Sequence, residues 1–367
     1  MKLPILTVPG VPVVAISALL CLLAGAGFIS GRLSGKWPAI AGTIAGLALI
    51  AGFLTWAAAD RELPFQVANQ FAGTIALATP LVFGALCGVL SERSGVVNVA
   101  IEGQFLAAAF AAAIVGGTTQ SILAALIAAI FAATLMAAVL ALFSLKYLVD
   151  QVVLGVVINL LVSGLTGFFY DELLQNTSPA PVLSKLRIPL LGDIPFFGTV
   201  LFNQNLLVYL GILSVIVVWF LLYRTKWGMR VRAVGEHPSA ADTVGIRVIA
   251  TRWSAVLVGG AFSGLGGAAF IIATNGGFTK DITVGKGFIA LAAVIMGRWH
   301  PVLAATMALF FGFVLQLGDS LGPLRTPMPS DFLGMLPYIA TIIAVAGLVG
   351  RVRPPAADGI PYVKGHH

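Results

Sequence analysis

Residues 91–105, SERSGVVNVAIEGQF, combine charged and amide side chains with glycines between two long apolar runs. Glu102 is costly in hydrocarbon, and such a carboxylate usually faces the interior of a helix bundle or a water-filled cavity. Asn98 and Gln104 lie close to it in the sequence and add neutral hydrogen-bonding groups. Two interpretations are open at this point. Either these side chains line a translocation path, or Glu102 is paired or protonated within a helix interface and holds the bundle together.

A second segment, GKGFIALAAVIMGRWHP at residues 285–301, is also interrupted by glycine. Its apolar stretch at 284–297 is too short for a full crossing, because a helix needs about 20 residues to span a bilayer. Interrupted helices expose backbone groups, which lipid tolerates only where they are buried in protein or line a cavity. Paired interruptions in the two halves of a transporter indicate a central binding site.

The loop at residues 224–252 is the one long hydrophilic segment in the second half of the chain. It carries two acidic residues, Glu236 and Asp242, against six basic ones: Arg224, Lys226, Arg230, Arg232, Arg247 and Arg252. A basic loop between two membrane spans marks the cytoplasmic face.

A short helix is predicted inside this loop. Pro238 suits the first helical turn, where its missing N–H would be unsatisfied in any case. Ser239 to Val244 continue the helix, and Gly245 can adopt the left-handed conformation that ends it. The spacing places three small or apolar residues on one face: Ala240, Ala241 and Val244. An ordinary connecting loop is the alternative.

The chain has 367 residues, of which 59% are hydrophobic and 10% charged, whereas soluble domains carry about 25% charged residues. It is therefore predicted to be an all-α polytopic membrane protein. The net charge of +7 comes from bases at loop ends, which set topology and contact anionic lipid headgroups rather than nucleic acid. Cys21 and Cys87 lie inside apolar runs, so we expect neither a disulfide nor a metal site.

The apolar runs predict about ten or eleven membrane-spanning helices, some of them broken or re-entrant. The higher count places the N-terminus outside the cell and the lower count places it inside. Residues 1–70 are predicted to form an N-terminal membrane extension with two apolar segments, residues 71–350 the core, and residues 351–367 a cytoplasmic tail. Residues 171–204 read as an external loop, which either receives a partner protein or has none.

Four motifs in the correct order resemble the permease subunits of bacterial ABC importers for simple sugars and nucleosides, a family that includes ribose and branched-chain amino acid permeases. The motifs are SERSGVVNVAIEGQ at 91–104, RAVGEHPSAADTVGI at 232–246, GKGFIALAAVIMGRWHP at 285–301 and DFLGMLPYIAT at 331–341. The resemblance runs from Gly73 to Val349, and the residues before it match less well.

The resemblance implies a transport subunit rather than an enzyme, with no cofactor, in the bacterial cytoplasmic membrane. Two related permease chains, often a heterodimer, would form the pore, and an extracellular substrate-binding lipoprotein would deliver substrate. No GxxxxGK(S/T) phosphate loop occurs in the sequence, so ATP hydrolysis would belong to a separate cytoplasmic ATPase. The helix at 235–246 would dock into that ATPase. Its coupling residues would be Gly235, Glu236, Pro238, Ala240, Ala241 and Gly245.

The SERSG form of the first motif resembles nucleoside permeases most, with ribose or galactose and branched-chain amino acids as alternative substrates. A neutral nucleoside needs hydrogen-bond partners and aromatic surfaces rather than fixed charge. The residues predicted to line its path are Asn98, Glu102, Gln104, Phe105, Lys286 and Phe288. An alternative of another class is a secondary transporter that runs on an ion gradient, with Glu102 as its proton carrier.

Overall fold

The computed structural model describes residues 9–31, 37–58, 67–174, 177–321 and 353–363, together with single positions between 334 and 342. In chain order its helices are α1 (Gly10–Ile29), α2 (Trp37–Ala58), α3 (Val67–Arg93), α4 (Ile101–Thr119), α5 (Ile122–Leu145), α6 (Gln151–Leu173), α7 (Phe197–Leu201), α8 (Leu206–Arg224), α9 (Lys226–Glu236), α10 (Pro238–Thr243), α11 (Val248–Ile272), α12 (Lys286–Met296) and α13 (Pro301–Leu321).

Within this described part, eight helices are long and apolar enough to cross a membrane. The prediction of an all-α polytopic membrane protein is confirmed. One of the two apolar segments predicted in residues 1–70 corresponds to α2, and the short segment at 284–297 corresponds to the 11-residue α12. Residues 322–333 and most of residues 334–352 lie outside the described residues, so the total of ten or eleven spans stays a prediction.

The chain forms two compact units. One comprises residues 1–70 and 317–335 and contains α1 and α2. These two helices pack closely, because a Cβ added at Gly52 would lie 2.7 Å from the Cβ of Ser17. The thiol of Cys21 donates a hydrogen bond to the carbonyl of Ala45 at 3.4 Å. The assignment of residues 1–70 as an extension to the transport core stays a proposal.

The other unit comprises residues 71–316 and 336–367 and has its core where α4, α5 and α11 pack together. Small residues line this contact, because lipid supplies no hydrophobic drive and close approach is what stabilises helix pairs in a membrane. A Cβ added at Gly264 of α11 would lie 2.5 Å from the Cα of Ile130 in α5. The facing stripe of α5 has alanine at every fourth position, all fully buried: Ala125, Ala129, Ala133 and Ala137.

The segment between α6 and α8 has a small fold of its own. Strands β1 (Lys185–Arg187) and β2 (Asn203–Asn205) pair antiparallel, with Leu186 opposite Gln204. Residues before β1 bind the end of α11 and the turn after it, since Leu183 N–H donates to the carbonyl of Ile272 at 2.7 Å and Ala180 N–H donates to that of Gly276 at 2.9 Å. Between the strands, several large apolar side chains are exposed: Leu190, Leu191, Ile194 and Phe197.

The glycine contact between α5 and α11 predicts a stability difference between two otherwise equal substitutions. Gly264→Ala forces the helices apart, and we expect it to cost about 1–3 kcal/mol. Gly164→Ala in α6 is the matched control, because nothing lies within 4 Å of the added Cβ and alanine favours the helix. Thermal unfolding of the purified protein in detergent measures both. Equal midpoints for the two variants would contradict this packing.

Candidate functional site

The carboxylate of Glu102, on the first turn of α4, binds the N-terminal end of α12. Its Oε1 accepts hydrogen bonds from Thr283 Oγ1 at 2.5 Å and from Gly285 N–H at 2.8 Å, and its Oε2 accepts from Gly287 N–H at 2.6 Å. The first N–H groups of a helix have no partner within the helix and carry partial positive charge. Glu102 satisfies two of these backbone donors with a charge of the favourable sign.

Two glycines make this contact sterically possible. Gly285 precedes α12 with a positive φ of 74°, a conformation that a side chain would oppose. A Cβ added at Gly287 would lie 2.5 Å from both the Cα and the N of Glu102. The first turns of α4 and α12 therefore touch at backbone distance.

Glu92 and Arg93, the last two residues of α3, bind the turn that follows α12. The Trp299 indole N–H donates to the Glu92 carboxylate. The Arg93 guanidinium donates from Nε to the Trp299 carbonyl at 2.9 Å and from Nη2 to the Arg298 carbonyl at 3.5 Å. Residues of 91–105 thus bind both ends of α12.

The same type of C-terminal turn ends α3 and α12. After α3, Gly95 has φ +86°, and Val96 N–H donates to the Ser91 carbonyl at 3.1 Å, as in a Schellman motif. After α12, Arg298 and Trp299 have φ values of 52° and 53°, which cost non-glycine residues about 1 kcal/mol or more each. The bonds from Glu92 and Arg93 offset that strain.

The break between α3 and α4 takes its remaining hydrogen bonds from α6. Gln151 Oε1 accepts from Val97 N–H at 2.7 Å, and Asn159 bridges Gly103 N–H at 2.8 Å and the Val99 carbonyl at 3.0 Å. Neither Asn159 nor Gln151 was identified from the sequence as a site residue. A polar residue in an apolar helix is the signal that identifies such residues.

Three of the predicted path residues are fully buried. Asn98 donates to Cys87 Sγ and Ser91 Oγ, both at 3.3 Å, and Gln104 donates to Asn98 Oδ1 at 3.4 Å. The ring of Phe105 packs edge-on against Phe270, with centroids 5.6 Å apart. These side chains form the interior of the bundle in this structure, and their role in a translocation path stays a prediction.

The other three predicted path residues are accessible near the start of α12. Phe288 is 47% exposed, whereas Glu102 and Lys286 are half-buried. The Lys286 ammonium group lies 5.3 Å from the centroid of the Phe270 ring, a favourable cation–π distance. Phe288, Lys286 and Glu102 therefore each keep some exposed surface near the start of α12.

The predicted short helix is confirmed as α10, with Pro238 in its first turn. Gly245 ends it with φ +83°, and Ile246 N–H donates to the Ala241 carbonyl at 3.0 Å. The single helix expected at 235–246 is wrong in its start, because Gly235 and Glu236 form the last turn of α9 and His237 separates the two helices.

The face predicted for α10 is also wrong. Ala240 and Val244 are exposed, Val244 by 75%, whereas Ala241 is buried against Val234 and Val248. Ala240 and Ala241 are adjacent in α10 and therefore point about 100° apart around the helix, and Val244 lies just beyond the last residue of the helix. Ala240 and Val244 remain the surface of α10 that a partner can reach.

Gly235 and Glu236 connect this corner to the end of α3. A Cβ added at Gly235 would lie 2.1 Å from the Arg93 carbonyl oxygen, so only glycine allows this approach. The Glu236 carboxylate lies 3.9 Å from Arg93 Nη1.

Burial and the nearby Arg93 cation lower the pKa of His300, which follows α12. The imidazole ring packs against the ring of Tyr223, with centroids 5.2 Å apart and the planes tilted by 32°.

Residues 70–346 match the model of a family described as the permease component of the branched-chain amino acid transport system. The guanosine ABC transporter permease protein NupQ of Bacillus subtilis is 41% identical over 311 residues, which cover 80% of this chain and 95% of that protein. The nucleoside ABC transporter permease protein NupC of Lactococcus lactis is 37% identical, covering 83% and 98%. The guanosine ABC transporter permease protein NupP of Bacillus subtilis is 24% identical, covering 78% and 85%.

The Glu102 contact predicts an order of stabilities. Glu102→Ala removes the acceptors of Thr283 Oγ1, Gly285 N–H and Gly287 N–H, and we expect a loss of about 1.5–3 kcal/mol, as for hydrogen bonds to a charged group. Glu102→Gln keeps one carbonyl oxygen and should lose less. Glu172→Ala, at an exposed position of α6, is the control and should unfold at the wild-type temperature. Thermal unfolding in detergent measures all three, and a Glu102→Ala protein as stable as wild type would refute the contact.

Proposed function

The chain belongs to the family of branched-chain amino acid transport system permease components, and on that premise we propose that it imports nucleosides. It is the permease subunit of an ABC importer, a multi-pass protein of the cytoplasmic membrane and a transport component rather than an enzyme. The observation that carries the proposed substrate is the similarity to guanosine and nucleoside permeases over nearly their whole length.

The accessible groups at the start of α12 support a neutral aromatic substrate. The half-exposed ring of Phe288 offers a stacking surface for a nucleobase. Lys286 and Glu102 offer a donor and an acceptor for hydroxyl groups or ring nitrogens. Most of the capacity of Glu102 is already used by α12, so we expect substrate selection at this point to be loose.

An ABC importer works with an ATPase and a substrate-binding protein. We propose that the ATPase contacts the exposed side of α10, and that the binding lipoprotein contacts the exposed apolar residues between β1 and β2. The existence of two guanosine permeases, NupP and NupQ, in one organism supports a heterodimer of this chain with a related permease.

The contacts suggest how movement of α10 would reach the transport path. The corner of α9 and α10 is joined through Glu236 to Arg93. Arg93 binds two carbonyls of the turn after α12, and the start of α12 binds Glu102. A rigid displacement of α10 would therefore shift α12 and the accessible groups at its start.

The test of this function is guanosine uptake by reconstituted vesicles that contain the chain, its partner permease, the binding protein and the ATPase. We expect uptake of radiolabelled guanosine that requires ATP on the ATPase side. Unlabelled uridine should compete, whereas ribose, galactose and leucine should not. Uptake that ignores ATP and follows a proton gradient would refute the proposal in favour of a secondary transporter, and competition by a sugar or leucine would refute the substrate.

The exposed side of α10 gives a second prediction. Val244→Asp places a charge where an apolar contact with the ATPase is proposed, and we expect it to reduce the amount of ATPase that co-purifies by about tenfold or more. Tyr147→Asp is the control, because Tyr147 is also exposed, by 58%, but lies in the loop between α5 and α6. Equal retention of the ATPase by the two variants would place its docking surface elsewhere.

A further inference from the structure

The segment from Arg353 to Val363 folds back onto the corner between α9 and α10. Ala357 N–H donates to the Gly235 carbonyl at 2.8 Å, and Ala356 N–H donates to Glu236 Oε2 at 3.2 Å. Ala357 itself is buried, with 4% of its surface exposed. We call residues 353–363 the C-terminal strap. It lies beyond residue 346, where the match to the family model ends.

The strap also binds a buried cation. Arg252, in the first turns of α11, is 0% exposed, and its Nη1 donates to the Ile360 carbonyl at 3.0 Å. A Cβ added at Gly95 would lie 2.7 Å from Arg252 Nη2 and 2.9 Å from the Ala357 carbonyl oxygen. The break after α3, the start of α11 and the strap therefore meet at one point.

One acidic side chain of the strap lies near this guanidinium. Asp358 of the strap lies within electrostatic range of both Arg252 and Glu92. Burial raises the pKa of Asp358 to about 7, against the opposing effect of Arg252 and the Gly359 N–H. Releasing the strap would separate Arg252 from its carbonyl acceptor, which is costly for a buried charge. The contact is therefore expected to persist while the corner moves.

The short helix α10 needs such support. A helix of six residues is not stable alone, because isolated helices shorter than about 12 residues are marginal in water. Its buried contact is made by Ala241 with Val234 and Val248, and the ring of Tyr362 in the strap packs against this cluster. The strap thus contacts the last turn of α9, the cluster beneath α10, α11 and the break after α3.

We propose that the C-terminal strap is a positioning element of the coupling site, which fixes the corner of α9 and α10 to the break after α3 so that movement of α10 reaches the pore. This inference rests on the proposed function as an ATP-driven importer. Without the strap, α10 would follow the ATPase while α3 and α12 stayed in place. ATP would then be hydrolysed with less guanosine moved.

The measurement is the ratio of guanosine taken up to ATP hydrolysed in reconstituted vesicles of the complete complex. Ala357→Pro removes the N–H that binds the Gly235 carbonyl, and Ala357→Ser keeps it. A chain ending at Arg353 removes the rest of the strap, and a chain ending at Val363 removes only residues 364–367. We expect Ala357→Pro and the chain ending at Arg353 to lower the ratio by about fivefold or more, which is the scale of a coupling energy between two sites. Ala357→Ser and the chain ending at Val363 should keep the wild-type ratio.

Co-purification of the ATPase and thermal unfolding separate positioning from folding. The inference is supported if Ala357→Pro keeps the ATPase and the wild-type unfolding temperature but takes up less guanosine per ATP hydrolysed. It is overturned if Ala357→Pro keeps the wild-type ratio. It is also overturned if Ala357→Pro loses the ATPase or unfolds early, because the strap then serves assembly alone. Failure of the wild-type complex to take up guanosine with ATP would instead refute the proposed function.

Discussion

The carboxylate of Glu102 at the N-terminus of α12 is the contact on which the interior of the larger unit depends. A helix that starts inside a membrane protein exposes backbone N–H groups, and neither lipid nor apolar side chains can satisfy them. Glu102 supplies the acceptors from α4, which itself begins inside the bundle and takes its own support from Asn159. Two interrupted helices therefore stabilise each other's ends, and neither start could be formed independently.

Beyond the other end of α12 the charges are reversed, since a cation there binds backbone carbonyls. The turn that follows α12 leaves the carbonyls of Arg298 and Trp299 outside the helix, and the Arg93 guanidinium binds both of them. The adjacent residues Glu92 and Arg93 thus act on one turn, through the Trp299 indole and the backbone respectively. Because the ends of α12 are bound by residues on either side of the same break, α12 is expected to move with α3 and α4 rather than separately. This is the property that a coupling mechanism through Arg93 requires.

Local patterns predicted local structure well. Pro238 and Gly245 predicted the bounds of α10 because capping depends on a few adjacent residues. The glycines around Gly264 lie at a close helix contact, a role that small residues have throughout membrane proteins. Partners distant in sequence were beyond this reasoning: nothing near Glu102 indicates that its donors are Gly285 and Gly287. The same holds for Gly235, which reads as part of a coupling helix but is required by its approach to the Arg93 carbonyl.

The charged side chains near the breaks share one use that the sequence could not reveal. Glu102 binds backbone N–H groups, Arg93 binds backbone carbonyls, and Arg252 binds the Ile360 carbonyl. A charge placed among apolar residues was open to two interpretations, a group for the substrate or a contact within the bundle. In a chain with interrupted helices, the contact within the bundle is a hydrogen bond to the main chain. Each interruption leaves main-chain groups unsatisfied, and a charged side chain binds them more strongly than a neutral one does. Charges committed in this way are not free to hold a charged substrate, which is the physical reason why a neutral substrate suits this framework.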